Sequence, residues 1–273
     1  MEHKIHKSPV VLAITVITAL ALSMITFTGC ASNASSSAND AGMNSPSAAA
    51  SSTYFSQQEV MPSPEWVTNL PVANEPDTKQ FIVVAGVGET TAYVTMHQKD
   101  ESGNWNQIIA TPGFIGKEGL GPADSYHSYT PIGTFTIDRA FGLAEDPGCK
   151  MDYLQVDDTY YWSGDERAGM HFNELVSIND LPELDTEESE QIAEYEYAYQ
   201  YVLNMGFNSE CKPGGGSAFF FHSFRVNRPY TGGCVAVPED IMKFIMCNIE
   251  GGCRITIDSL DNMGGDLDAG YEE

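Results

Sequence analysis

Two residues that can perform covalent chemistry lie close together near the end of the chain. His222 follows the apolar residues 218–221, and Cys234 follows Gly232 and Gly233. A cysteine nucleophile needs a nearby base to favour its thiolate, and N–H groups of a Gly-Gly-Cys turn could hold the oxyanion of a tetrahedral intermediate. The spacing indicates a Cys–His enzyme. A disulfide-bonded, structural Cys234 is the alternative that spacing alone leaves open.

The cysteine count bears on that choice. The chain has 6 cysteines, and Cys30 belongs to the N-terminal signal discussed below. The odd number that remains indicates one free thiol in an oxidising compartment. We predict two disulfides that leave Cys234 free, Cys149–Cys211 and Cys247–Cys253. All five thiols staying reduced is the alternative. There is no CxxC spacing and there are few histidines, so no metal site and no cofactor are predicted.

Longer motifs surround the Cys–His pair. Residues 216–222 read GSAFFFH and residues 230–238 read YTGGCVAVP. Upstream, residues 113–119 read GFIGKEG and residues 130–135 read TPIGTF, and Trp162, Asp165 and Phe172-Asn173 follow in order. Together these motifs resemble the L,D-transpeptidase (YkuD-like) family, in particular its branch with GSxxFxH followed by TxGCxAxP. The resemblance covers roughly residues 80–258.

The resemblance implies a reaction on peptidoglycan stem peptides. Cys234 would attack the carbonyl between the third residue of a stem tetrapeptide and its terminal D-Ala, with His222 as general base. The N–H groups of Gly233 and Cys234, and of Gly232, would hold the oxyanion. Ser223 would orient the imidazole through its carbonyl. An amine acceptor would give a 3→3 crosslink, whereas water would make the protein an L,D-carboxypeptidase, and the sequence does not separate these outcomes.

Charge restricts the partners. The chain has 13 Lys+Arg against 38 Asp+Glu and a net charge of -25, which argues against a nucleic-acid binder because phosphate binding needs clustered bases. Between His222 and Cys234 there are two arginines and no acid. We therefore predict a basic patch at the site, where Arg225 clamps a stem carboxylate and Thr231 contacts substrate. A solvated loop charge is the alternative for Arg225.

Hydrophobic patterning predicts the elements that must position these residues. Apolar, β-branched or alternating runs predict strands at 81–87, 91–99, 105–110, 133–140, 218–222 and 253–257. Helices are predicted at 186–205 and 238–248. His97 falls on the polar face of its strand and is expected at the surface. Strands dominate, so we expect a mainly β (α+β) fold, a β-sandwich or open barrel with packed helices.

The N-terminus reads as an export and anchoring segment. An uncharged apolar run precedes residues 27–30, FTGC, which resemble a bacterial lipoprotein signal with Cys30 as the lipidated residue. The alternative is an uncleaved membrane helix. We predict a signal peptide at 1–29, a Ser/Ala/Pro-rich tether at 30–65, an L,D-transpeptidase-like catalytic domain at 66–260 and an acidic tail at 261–273.

The prediction that combines these observations is a membrane-tethered L,D-transpeptidase in the bacterial cell envelope. Its expected partners are peptidoglycan stem peptides and, through the lipid anchor, the membrane, and it is expected to act as a monomer. Two alternatives remain open: a catalytically silent wall-binding lipoprotein that keeps the fold as a scaffold, and a disulfide-linked structural lipoprotein in which Cys234 is oxidised.

Overall fold

A computed structural model describes residues 59–225 and 227–267 of the chain. The predicted signal peptide, Cys30, most of the predicted tether and the end of the acidic tail lie outside the described residues. The fold is mainly β with few helices, and this confirms the predicted fold class. Within the described ranges, no helix is long and apolar enough to cross a membrane.

The strands and helices of the described residues are short apart from three central strands. The strands are β1 (Met61–Pro62), β2 (Gln80–Gly86), β3 (Thr91–Lys99), β4 (Trp105–Phe114), β5 (Leu120–Gly121), β6 (Thr130–Pro131), β7 (Gly133–Thr136), β8 (Arg139–Gly142), β9 (Tyr153–Gln155), β10 (Tyr160–Trp162), β11 (Leu175–Ser177), β12 (Glu190–Gln191), β13 (Val202–Asn204), β14 (Phe220–Ser223), β15 (Val235–Val237) and β16 (Arg254–Ser259). The helices are α1 (Glu65–Thr68) and α2 (Glu239–Asn248), with 3₁₀ turns at Pro71–Asn74 and Ile192–Tyr195.

One large sheet carries both motif segments. Its strand order is β7-β16-β2-β3-β4-β15-β14-β13-β8-β9, with β1 added to β4. Two smaller sheets, β11-β10-β12 and β5-β6, flank it. Since β14 and β15 are parallel neighbours, the end of the GSAFFFH motif lies beside the start of the VAVP segment.

Most predicted strands are confirmed, but the predicted helix at 186–205 is wrong. That segment holds β12, the 3₁₀ turn Ile192–Tyr195 and β13 instead. β13 pairs on both sides, with β8 and with β14, so sheet hydrogen bonds determine its conformation. The tyrosine-rich sequence has modest helix propensity, and tertiary pairing overrides it. The helix predicted at 238–248 is confirmed as α2.

Both faces of the central strands are buried. On one face α2 contributes Ile241, Met242, Ile245 and Met246, whose spacing places them on one side of the helix. On the other face the N-terminal segment covers the sheet and packs Val67, Leu70 and Val72 against Phe81 and Val83. Burial on both faces explains why β2 is apolar at consecutive positions rather than alternating.

His97 is buried, and the prediction that it lies at the surface is wrong. Its exposed fraction is 0 %, because the N-terminal segment covers this face of β3. The Ser63 Oγ lies 2.8 Å from His97 Nδ1, and His97 Nε2 lies 2.7 Å from Thr95 Oγ1. Ser63 and the neighbouring β1, which composition alone assigns to the tether, are thus in contact with the sheet.

The buried imidazole makes folding stability depend on pH. Desolvation lowers the pKa of His97 from 6.5 to about 3. Below pH 6.5 the unfolded chain therefore binds a proton that the folded chain does not, and stability falls as the pH falls towards 3. We expect a decrease from pH 7.5 to pH 5 to cost about 2 kcal/mol through this residue.

Urea unfolding of His97→Gln at the two pH values tests this expectation. The decrease in the free energy of unfolding from pH 7.5 to pH 5 should be about 2 kcal/mol smaller in the variant than in wild type, whatever the absolute stability of the variant. An identical pH dependence in wild type and His97→Gln would contradict the assignment.

Candidate active site

Cys234 and His222 are brought together by parallel pairing of β14 with β15. In this register His222 lies opposite Ala236, and the N–H of Phe220 donates to Cys234 Sγ over 3.3 Å. Residues two apart on a strand share a face, so both side chains are on the same side of the sheet. Both line one cavity of about 870 Å³.

The thiol of Cys234 is neutral in this environment. The side chain is 7 % exposed, and Sγ donates a hydrogen bond to Ala218 O over 3.3 Å. Burial raises the pKa of Cys234 to about 12, and the negative charge of Glu190 adds to the increase. The hydrogen bond from the Phe220 N–H acts in the opposite direction. Catalysis therefore needs a base that removes the proton during attack.

His222 has the tautomer that such a base requires. Its Nδ1 lies 2.8 Å from the carbonyl oxygen of Ser223, as predicted for an orienting contact. Because a carbonyl only accepts, Nδ1 carries the proton and Nε2 offers a lone pair. Desolvation lowers the pKa of His222 to about 4, with a smaller contribution from the positive charge of Arg225. The imidazole is therefore neutral at pH 7.

The Gly-Gly turn before Cys234 depends on glycine at one of its two positions. Gly233 has a φ of +138°, and a Cβ atom there would lie 2.6 Å from the Phe219 ring and 2.9 Å from Tyr129 O. At Gly232 a Cβ atom would meet no atom within 4 Å. The N–H of Gly233 donates to Thr231 Oγ1 over 3.1 Å. The Gly233 amide is thus engaged within the turn in this structure, and the oxyanion role predicted for the amides of this turn stays a prediction.

The hydroxyl groups of two threonines donate hydrogen bonds to the backbone of the Gly-Gly turn. Thr231 Oγ1 donates to Cys234 O over 2.6 Å, so the hydroxyl predicted to contact substrate is engaged within the turn. Thr130 Oγ1 donates to Gly233 O over 2.8 Å and accepts the N–H of Gly116, also over 2.8 Å. Thr130 opens the TPIGTF motif, which we interpreted as part of the fold only. In the structure its hydroxyl also bonds to the backbone of the turn that carries Cys234.

A second set of hydrogen bonds holds Ala218, whose carbonyl oxygen accepts the hydrogen bond of the Cys234 thiol. Trp162 Nε1 donates to Asn173 Oδ1 over 2.9 Å, and the N–H of Ala218 donates to the same oxygen over 3.3 Å. Asn173 Nδ2 in turn donates to Phe207 O over 3.1 Å. Ala218 has a φ of +59°, an unfavourable value for a residue with a Cβ atom. Asn173 thus helps to hold Ala218 in the conformation that places its carbonyl beside Cys234 Sγ.

The charge of the cavity differs from the prediction of a basic patch. Its acidic lining residues outnumber its arginines. The acids are Asp124, Asp165, Glu166, Asp185, Glu188 and Glu190, and the arginines are Arg167, Arg225 and Arg228. The acids come from loops distant in sequence from the catalytic motif, and for this reason the local charge count missed them. Arg167 donates to both carboxylate oxygens of Asp165 and holds its pKa well below its usual value.

The two arginines between His222 and Cys234 both lie against aromatic rings. The guanidinium of Arg225 is 5.4 Å from the centre of the Tyr195 ring, and that of Arg228 is 5.4 Å from the centre of the Tyr230 ring. Both residues line the cavity. Arg225 is therefore placed where it can contact a ligand, and its clamp role stays a prediction.

The predicted disulfides are absent from the structure. Cys149, Cys211, Cys234, Cys247 and Cys253 are all free. Cys253 is buried with its Sγ 3.5 Å from Arg254 O, and Cys247 Sγ donates to Pro147 O over 3.2 Å, so these two thiols make separate contacts. The described part of the chain contains no group of three or more His, Cys, Asp or Glu side chains that could hold a metal ion.

Comparisons with known proteins find little. No family model matches the chain, and no curated protein matches it. Among solved structures, a fused Zn-dependent amidase/peptidase/peptidoglycan-binding domain-containing protein from Clostridium acetobutylicum ATCC 824 is similar, with 18% sequence identity and a TM-score of 0.33. The match covers 72% of this chain, and the chain spans 64% of the length of that structure.

The Gly-Gly turn provides a matched pair of substitutions. Gly233→Ala places a Cβ atom against Phe219 and Tyr129 at a strained φ, so we expect it to cost about 1–3 kcal/mol of stability. It should also alter the rate at which iodoacetamide modifies Cys234. Gly232→Ala, which meets open space, should change stability by less than about 0.5 kcal/mol. Urea unfolding measures the first quantity and site-resolved mass spectrometry the second. Equal effects of the two substitutions would contradict this account.

Proposed function

We propose that this protein is a cysteine-dependent acyltransferase of the L,D-transpeptidase type that acts on peptidoglycan stem peptides. The observation that carries the proposal is the neutral Cys234–His222 pair at one wall of a cavity, with His222 Nδ1 bound to Ser223 O. A protein that only binds the wall has no need of a nucleophile with a correctly oriented base. The order of the motifs along the chain supports the same family.

Acylation follows from the neutral pair. A stem-peptide carbonyl enters the cavity and Cys234 Sγ attacks its carbon, while Nε2 of His222 takes the thiol proton. The tetrahedral oxyanion is held by the amides of Gly232 and Cys234. When the intermediate collapses, the bond to the terminal D-Ala nitrogen breaks and His222 returns the proton to the leaving amine. A thioester on Cys234 remains.

Deacylation reverses these roles. The side-chain amine of a second stem attacks the thioester carbon, Nε2 of His222 takes a proton from the amine, and the thiol is regenerated. The product is a 3→3 crosslink. Water as the acceptor gives a shortened stem peptide instead, and the same two residues then act as an L,D-carboxypeptidase. The acids of the cavity wall favour the amine, because a positively charged stem group is attracted to them before it loses its proton.

Substitutions of the pair test the mechanism. Full-length protein in detergent is incubated with tetrapeptide muropeptides, and the products are read by liquid chromatography and mass spectrometry. Cys234→Ala should abolish both crosslinked and shortened products and should also prevent acylation by a carbapenem. His222→Gln should slow the reaction by about 10²- to 10⁴-fold.

The matched control is Cys247→Ala, because this thiol lies outside the residues that line the cavity. It should leave both the products and the carbapenem adduct unchanged. A Cys234→Ala protein that still forms crosslinks would contradict the mechanism. Folded wild-type protein that binds peptidoglycan, but neither crosslinks nor shortens stems, would favour the silent wall-binding alternative.

The proposal includes attachment to the bacterial membrane through Cys30. Residues 27–30 read FTGC after an apolar run, and the Ser/Ala/Pro-rich residues that follow would let the domain reach the wall. Expression of the full chain with Cys30→Ala should move the protein from the membrane fraction to the soluble fraction, or leave its signal uncleaved. Ser35→Ala, in the same polar segment, is the matched control. An unchanged mass and membrane fraction for Cys30→Ala would contradict lipidation.

A further inference from the structure

The Glu190 carboxyl group lines the same cavity as Cys234, and it takes no part in the proton transfers of the proposed reaction. Glu190 lies on β12 and pairs with Trp162 of β10. Its Oε1 accepts a hydrogen bond from the Tyr199 hydroxyl over 2.6 Å. Burial raises the pKa of Glu190 to about 7. The carboxyl group therefore changes its charge within the pH range in which most enzymes work.

Tyr199 connects this carboxyl group to both catalytic residues. Its ring meets the His222 ring edge to face, with centres 5.3 Å apart. Its centre is 5.5 Å from that of Phe220, whose N–H donates to Cys234 Sγ. The hydroxyl has a single proton, so donating it to Cys234 Sγ, which would lower the pKa of that thiol, competes with the bond to Glu190. Tyr199 thus joins the acid, to which it donates, to the rings of Phe220 and His222.

Several other groups set the charge state of Glu190. The charged and titratable groups that face it are Arg225, Glu194, Tyr195, Tyr199 and Cys234. Arg225 and the Tyr199 hydrogen bond favour the carboxylate, whereas burial and Glu194 oppose it. The carboxylate in turn raises the pKa of Cys234, as expected for a negative charge near a group that becomes negative.

We propose that Glu190 and Tyr199 form a positioning pair that modulates ionisation of the nucleophile: the Glu190 carboxylate adds to the cost of ionising the buried Cys234, and protonation of the carboxylate lowers that cost. The inference rests on the proposed function in that it treats Cys234 as the nucleophile. Its test reads the thiol itself and needs no stem peptide.

The measurement is the rate of Cys234 alkylation by iodoacetamide between pH 5.5 and pH 9, because only the thiolate reacts. Full-length protein in detergent is quenched at intervals, digested and read by mass spectrometry at each cysteine. Cys247 serves as the reference thiol in every sample. In wild type the logarithm of the Cys234 rate should rise with pH, flatten around pH 7 as Glu190 ionises, and then rise again.

Glu190→Gln should remove the flattening. The variant and wild type should react at similar rates at pH 5.5, where the wild-type carboxyl group is protonated. By pH 9 the variant should be about tenfold faster, which corresponds to a decrease of about one unit in the pKa of the thiol. A change in packing alone would displace the curve at every pH instead. Glu196→Gln, an exposed acid on the segment that follows β12, should reproduce the wild-type curve.

Tyr199→Phe should change the pH at which Glu190 ionises while keeping the ring against His222. Loss of the hydroxyl removes the hydrogen bond that lowers the pKa of Glu190. The flattening in the Cys234 rate should therefore move to a higher pH. Cys247 should react as in wild type.

Three results decide the matter. A Glu190→Gln curve that keeps the flattening, or lies parallel to the wild-type curve, overturns the proposal. If Glu190→Gln does not fold, Tyr199→Phe becomes the test. A Tyr199→Phe curve that flattens at the same pH as the wild-type curve then overturns the proposal. If the alkylation curves are as expected but stem peptides are not processed, the proposed function fails and the role of Glu190 in thiol ionisation stands.

Discussion

The site depends above all on the hydrogen bonds between the parallel strands β14 and β15. Their register places His222 opposite Ala236 and brings the Phe220 N–H to Cys234 Sγ. A shift of the register by one residue would turn one of the two reactive side chains to the opposite face. The neighbouring strands β4 and β13, the threonines below the Gly-Gly turn and the Trp162–Asn173 hydrogen bond all serve to fix this one pairing.

Much of this arrangement could be predicted from local patterns. The strands β2, β3 and β4 follow from apolar or alternating runs, α2 follows from its proline start and apolar spacing, and the Cys234–His222 pair follows from its motifs. What could not be predicted depends on segments far apart in sequence. His97 appears polar and exposed until the N-terminal segment covers it, and residues 186–205 look helical until β8 and β14 pair with β13.

The charge of the cavity could not be predicted from the local sequence either. Counting charges between His222 and Cys234 yields two arginines, but the fold brings in acids from three other segments of the chain, around residues 124, 165–166 and 185–190. Thr130 also contributes from outside the catalytic motif, because β6 passes beneath the Gly-Gly turn. Neighbours in space, rather than neighbours in sequence, therefore determine how readily Cys234 ionises.

The buried, neutral thiol of Cys234 also affects the chemical durability of the protein. Oxidation to sulfenic acid proceeds through the thiolate and requires access to the sulfur. Cys234 is 7 % exposed and its pKa is raised to about 12. Little thiolate is therefore present for peroxide to oxidise, and the sulfur is hardly accessible. The proposed enzyme would therefore keep its nucleophile intact during long periods without substrate, because little thiolate is present to react with an oxidant.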